Sequence, residues 1–436
     1  MMKGIVAGAL LLATTAPSAY AATNITWWHA MGGELGQKLN QIVDEFNKSQ
    51  SDYHVTAVYK GTYPETMTAA IAAFRAHKQP DIVQVYEVGT ATMMAAKGAV
   101  YPVYKLMKDA GEPFNPKNYL AAVTGYYTDT DGNMLSLPFN SSTPILYYNK
   151  DEFKKAGLDP NTPPKTWKDV VDFSKKLMSS GAAKCGFSTG WQVWVQLENF
   201  SAWHNVPYGT LENGFGGLGT KFVFNGPLQK RHISDMAKWA KSGIFKYGGR
   251  ESDGRPLFYS GECAMWTDSS ASRASILANT KAKVGFGELP YYADVKGAPQ
   301  NSIIGGASLW VLKGHSDAEY KGVAKFFTFL SSPAVQADWH EFSGYLPITE
   351  AAYKLAQKQG YYKKYPGAEI SIKQMTNKPP TKNSKGIRFG NYPQVRDIIN
   401  GELEQVWAGK KSASDALDES VKRGNVVLRQ FQAANE

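Results

Sequence analysis

Trp191 and Trp194 stand three residues apart in GWQVWVQLENFSAWHN, directly after Gly190. Exposed indoles give flat, stiff surfaces for C–H-rich ligands such as polyols, and for quaternary ammonium groups through cation–π attraction. Their spacing leaves a cleft role open beside a core role, whereas Phe200 and Trp203 in the same segment read as core. Catalytic patterns are absent. The seven histidines (His29, His54, His77, His204, His232, His315 and His340) are scattered, and none forms the His-x-x-x-His or His-Glu-x-x-His spacing that places two metal ligands on one helix face. No Gly-x-Ser-x-Gly elbow occurs. The run GGELG lacks the lysine and full glycine spacing of a phosphate-cradling loop and is explained as a helix start. Binding fits this chain better than catalysis.

The elements that would hold such a site read as α/β. ATNITWWHA predicts a strand, followed by a helix with Leu35, Leu39, Ile42, Val43 and Phe46 on one face. HVTAVYK predicts a second strand, Met67, Ala70, Ile71 and Phe74 a second helix face, and DIVQVYE a third strand. Strand–helix–strand–helix–strand over so short a length indicates parallel pairing with right-handed crossovers. Later helices carry their own start signals. Thr166 with Asp169 opens one whose stripe is Trp167, Val170, Val171, Ser174, Leu177 and Met178. Ser316 with Glu319 has capping-box spacing ahead of Tyr320, Val323, Ala324, Phe327 and Leu330. Ala416, Leu417, Val421, Leu428 and Phe431 outline a last amphipathic helix. Internal repeats and Pro/Ser-rich linkers are lacking, so two lobes would be joined by short ordered segments, as a hinge requires.

The N-terminus bounds the compartment. Lys3, the apolar run Gly4 to Thr15 and the small-x-small Ala19-Tyr20-Ala21 predict a secretory signal peptide over residues 1–21, cleaved after Ala21. The mature chain of about 415 residues is long enough for two or three domains. A 43% hydrophobic and 20% charged composition is that of an ordinary globular protein. The formal charge of +10 assists capture of anions, but no Lys/Arg run or nucleic-acid motif accompanies it. Cys185 and Cys263 are the two cysteines; an oxidising compartment permits a disulfide between them, and buried free thiols fit the same contexts.

The run SSTPILYYNKDEFKKAGLDPNTPPKTWKDVVDF, beginning at Ser141, resembles the solute-binding proteins of ABC importers for sugars and related solutes. YKGTYPETMTAAIAAFRA, VYEVGTATMMAAKGAVYPV, LPFNSSTP, GWQVWVQLENFSAW, QNSIIGGASLWV, GYLPIT and NKPPTKNSKGIRFGNYPQVR, in that order, look like the branch of this family that takes sn-glycerol 3-phosphate. The resemblance implies a periplasmic, monomeric, two-lobe α/β protein that closes over its ligand at a hinge. It would deliver the ligand to an inner-membrane permease with a cytoplasmic ATPase, without enzyme activity, cofactor, metal or nucleic acid. The lobes it implies are residues 22–138 with 288–340 and 139–287 with 341–436.

It also implies ligand contacts at Tyr63, Glu87, Ser142, Ser269, Gly306, Tyr345 and Arg396, with Ser270 as the substitute for Ser269. As a phosphopolyol site these types make sense: Arg396 forks onto phosphate, Ser142, Ser269 and Tyr345 supply hydroxyl donors, Gly306 lets a backbone N–H come close, and Glu87 accepts from glycerol hydroxyls. Trp191 and Trp194 extend the expectation to glycerophosphodiesters such as glycerophosphocholine. Two other readings stay open: a neutral sugar binder of the same fold, and an exported glycerophosphodiesterase.

Overall fold

The computed structural model describes residues 21–436; the signal-peptide reading falls almost wholly on residues outside these. Ten strands run β1 Thr23–His29, β2 Tyr53–Tyr59, β3 Ile82–Tyr86, β4 Val100–Tyr101, β5 Leu137–Ser142, β6 Pro144–Asn149, β7 Cys185–Thr189, β8 Cys263–Ser269, β9 Val284–Gly287 and β10 Gly305–Leu312. The helices that matter below are α1 Gly33–Ser49, α2 Tyr63–Arg75, α3 Trp167–Ser179, α4 Ser272–Asn279, α5 Asp317–Leu330, α6 Pro333–Ser343, α7 Tyr392–Trp407 and α8 Ala413–Asn435.

The strands form two sheets. The first has the order β2-β1-β3-β10-β4, with β5 paired to β10 as well; the second has the order β7-β8-β6-β9. Pairing among β1, β2 and β3 is parallel, as the βαβαβ pattern dictates. Both sheets are mixed, because β10 runs antiparallel to β3, β4 and β5, and β6 runs antiparallel to β8 and β9. One residue, Thr143, separates β5 in the first sheet from β6 in the second. The residues that follow Pro138 thus still belong to the first sheet, through to Ser142.

Helix faces follow the sequence stripes, with their margins half-buried and one exposed exception, Ile71. In α1, Leu39, Ile42, Val43 and Phe46 are buried and Leu35 is half-buried. Thr166 and Ser316 both cap their helices with reciprocal side chain–backbone bonds to Asp169 and Glu319. In α2, Met67 and Ala70 face the core, but Phe74 is half-buried and Ile71 is exposed. Cys185 and Cys263 lie directly opposite one another on the parallel strands β7 and β8, with Cα atoms 4.6 Å apart, and form a disulfide.

Candidate functional site

A cleft of about 400 Å³ opens where the two sheets meet, and Tyr63, Glu87, Ser142, Trp191, Trp194, Ser269, Gly306, Tyr345 and Arg396 all line it. The topology explains why residues so far apart in sequence share one wall. Ser142 ends β5 opposite Gly305, and Gly306 lies opposite Ser141 on β10. Ser269 ends β8 opposite Pro144, so the Thr143 crossing carries both serines to the same place. Tyr345 follows the left-handed Gly344 that ends α6, and the next N–H, of Leu346, donates to Ser141 O at 2.7 Å. Gly306 has φ +94°, and a Cβ there would run into the Asn140 carbonyl, so no other residue fits this approach. Ser270 does not line the cleft; its hydroxyl is buried without a partner, one residue behind the wall.

Aromatic side chains form the floor. Tyr63 stacks on Tyr86 with ring centroids 5.4 Å apart, and its hydroxyl accepts from Asn140 Nδ2 at 2.8 Å. Asn140 is fixed in turn by Gln84 Nε2 at 2.8 Å. Burial holds the Tyr63 and Tyr345 phenols above their ordinary range, so both act as neutral hydroxyls. Trp191 has φ +43°, a strained value for a bulky residue, and donates from Nε1 to Ser252 Oγ at 3.1 Å. Trp194 packs against Gly305, and its buried Nε1–H has no partner among the described residues. An unsatisfied indole donor in a cleft wall costs stability unless something in the cleft accepts from it. Phe200 and Trp203 are core, Trp203 donating to Leu289 O.

Arg396 departs from the expected role. Its Nε and Nη2 bond both oxygens of Glu198 at 2.8 and 2.7 Å, and Nη2 also bonds Glu87 at 2.6 Å. The bidentate fork expected for phosphate is therefore spent on Glu198, and among the described residues only Nη1 lacks a partner. All three side chains are buried, and the Tyr392 hydroxyl donates to Glu198 at 2.8 Å. Two carboxylates against one guanidinium leave a buried formal charge of −1. Burial, with Glu198 nearby, pushes the Glu87 carboxyl up, against the pull of Arg396. The outcome is an acceptor, Glu87, next to one free cationic nitrogen, Nη1, with two N–H donors, a pair complementary to hydroxyl groups.

Glu198 was not singled out in the sequence. A lone carboxylate inside the apolar run WVQLENF is the signal that could have found it, because a buried charge demands a partner. Arg255 was also missed; it reaches the cleft while held 3.4 Å from Asp268, a fully buried carboxylate that also accepts from Trp266, Ser252 and Ser272. Glu251, another cleft residue, is pushed up to about 7 by burial, then by Asp253 and Glu65. Glu34, Glu87, Glu251 and Asp253 face the cleft against Arg255 and Arg396. The positive surplus of the chain is thus not concentrated here.

The fold and the interlobe cleft define a binding protein, and the chain belongs to the bacterial extracellular solute-binding protein family, whose pattern matches residues 32–337. It is 53% identical over 431 residues to the sn-glycerol-3-phosphate-binding periplasmic protein UgpB of Pectobacterium atrosepticum, covering 99% of this chain and 97% of that one. The protein of the same name from Salmonella typhimurium is 53% identical over 429 residues, covering 98% and 97%. Among solved structures, UgpB from Mycobacterium tuberculosis in complex with glycerophosphocholine superposes with a TM-score of 0.77 at 20% identity, covering 94% of this chain and 99% of that one. Maltose-bound T. maritima MalE3 gives 0.75 at 20% identity, covering 94% and 100%. These two share the two-lobe periplasmic binding fold with this chain.

Proposed function

We propose that this chain is the periplasmic component of an ABC importer and that it captures sn-glycerol 3-phosphate in the cleft. The observation that carries this reading is the convergence of hydroxyls and a glycine backbone from both sheets on one space that also holds the Glu87–Arg396 pair. Near-full-length identity to proteins named for this ligand supports it.

The two ends of the ligand have different partners. Ser142, Ser269, Tyr345 and the Gly306 backbone form the phosphate end, a set of neutral donors that bonds an anion without a buried counter-charge. Glu87 and Arg396 Nη1 hold the glycerol hydroxyls, as acceptor and donor. Arg396 thereby positions the triol and is itself positioned by Glu198. The lobes turn about segments that include Thr143, and ligand contact with both favours the closed form, which the permease and its ATPase then recognise. The protein works as a monomer, without a covalent step, cofactor or nucleic acid, after removal of residues 1–21.

A second reading of the ligand range rests on the acidic, aromatic rim. Glu251, Asp253 and Trp191 suit a quaternary ammonium group, so glycerophosphocholine fits the same cleft with its choline toward them. Intrinsic tryptophan fluorescence titrated with glycerol 3-phosphate, glycerophosphocholine and maltose tests both. Saturable quenching or enhancement by the first, and none by maltose, is expected. A response to maltose alone would transfer the chain to sugar binding.

A further inference from the structure

Far from the cleft, Asp81, His315 and Glu319 bring one ligand atom each to within 4.8 Å of one another. Asp81 immediately precedes β3, whose other end leads into Glu87, so roughly 20 Å of strand separates this cluster from the cleft. Each side chain is held in place by a second bond that leaves its other atom aimed inward. Asp81 Oδ2 accepts from Thr26 N at 2.8 Å, while Oδ1 is buried and has no hydrogen-bond partner among the described residues. Glu319 Oε2 accepts from the Ser316 N–H and hydroxyl, both at 2.6 Å, leaving Oε1 free. His315 Nε2 lies 3.1 Å from the Pro80 carbonyl, which can only accept, so Nε2 carries a proton and Nδ1 is the nitrogen turned toward the two carboxylates.

Nδ1 is 3.3 Å from Asp81 Oδ1 and 3.8 Å from Glu319 Oε1. Asp81 Oδ1 has no hydrogen-bond partner among the described residues, so its contact with Nδ1 is electrostatic only. A divalent cation can take the place of a proton between these atoms, any Nδ1 proton leaving as it binds. Ligands about 2.0–2.1 Å from a tetrahedral zinc lie ~3.4 Å apart. The Nδ1–Oδ1 separation matches that edge, while the Nδ1–Oε1 separation of 3.8 Å is wider, so Glu319 must move inward by a few tenths of an ångström to complete the set. Asp81 is 4% exposed, His315 12% and Glu319 30%, so a fourth position faces water through Glu319.

We infer that Asp81, His315 and Glu319 form a zinc-class divalent metal site that pins the start of β3 to the N-terminal turn of α5. One imidazole nitrogen with two carboxylate oxygens suits Zn²⁺ more than the all-oxygen preference of Mg²⁺ or Ca²⁺. The carboxyl-terminal side of His315 is already ordered by the Ser316–Glu319 capping box, so binding needs little rearrangement.

The test uses the whole secreted chain after chelator treatment, titrated with ZnCl₂ by calorimetry and followed by thermal melting. One Zn²⁺ per chain and a melting temperature raised by several degrees are expected. His315→Ala and Glu319→Gln should each weaken binding at least tenfold and abolish the shift. Glu319→Gln retains a capping-box side chain, so its loss of zinc would not reflect a frayed helix. Co²⁺ substituted at the site should give the absorption of a low-coordinate complex. Absence of saturable zinc binding to the unaltered chain, or undiminished binding in either variant, would overturn the assignment.

Discussion

Replacing Arg396 with alanine separates the two ends of the proposed ligand. The side chain spends Nε and Nη2 on Glu198 and Glu87 and has Nη1 to offer. A hydrogen bond from a charged donor contributes about 1.5–3 kcal/mol, so glycerol 3-phosphate should bind roughly 10- to 150-fold more weakly to Arg396→Ala. Ethyl phosphate keeps the phosphate and lacks the hydroxyls that Nη1 would meet. Its affinity should fall less, by a margin of at least about 1 kcal/mol, or roughly fivefold. The variant should also lose stability, because Glu87 and Glu198 are left as two buried carboxylates without a cation. Removing one partner of a buried pair costs about 3–5 kcal/mol. At about 2.1 cal/mol/K per residue over a chain of this length, that lowers the melting temperature by about 3–6 °C. Calorimetry with both ligands, and a thermal melt of each protein, supply the numbers. Equal losses for the two ligands would place the guanidinium on the phosphate and refute the division of roles. Unchanged binding of both would remove Arg396 from the site.

Three further outcomes are expected. The Cys185–Cys263 bridge closes a loop of 78 residues, for which the chain-entropy relation gives about 4.5 kcal/mol; a double Cys→Ala variant should unfold at a clearly lower denaturant concentration, and an unchanged midpoint would show that the bridge does not constrain the unfolded chain. Glu251, pushed up to about 7, is protonated below that pH and carries its charge above it. Binding of an anion should therefore weaken as pH rises through 7, on top of the ligand's own titration, and Glu251→Gln should remove that component when the two pH profiles are subtracted. Because its folded value lies above the ordinary carboxylate value, the same group also makes the fold less stable as pH rises from about 4.5 to 7. Finally, a Trp191→Ala/Trp194→Ala variant should lose more affinity for glycerophosphocholine than for glycerol 3-phosphate by calorimetry; an undiminished affinity for the diester would exclude both rings from its recognition.

Local features were readable because local physics makes them. The stripes of α1, α3 and α5 and both capping boxes depend on residues within a few positions of one another. Ile71 was misplaced because apolar type was taken for burial, and α2 leaves that side of its surface uncovered. The antiparallel insertion of β10 between β3 and β4 was not readable, since no local pattern tells a strand more than two hundred residues later where to pair. At the site, family resemblance rather than periodicity brought out the cleft-lining set, and Ser270 shows how a one-residue ambiguity at a strand end moves a hydroxyl from the wall to the space behind it. The spent fork of Arg396 could not be seen at all without Glu198, whose partner lies 198 positions away.

The one-residue crossing at Thr143 has a mechanical corollary. Where two bodies pivot, displacement grows with distance from the axis, so the rims sweep far while atoms at the fulcrum scarcely travel. In the proposed hinge motion Ser142 adjoins the fulcrum, whereas Trp191 follows β7, two strands away from β6 in its sheet. On that proposal a solute is grasped first by the hydroxyl nearest the pivot and only afterwards enclosed by the parts that move.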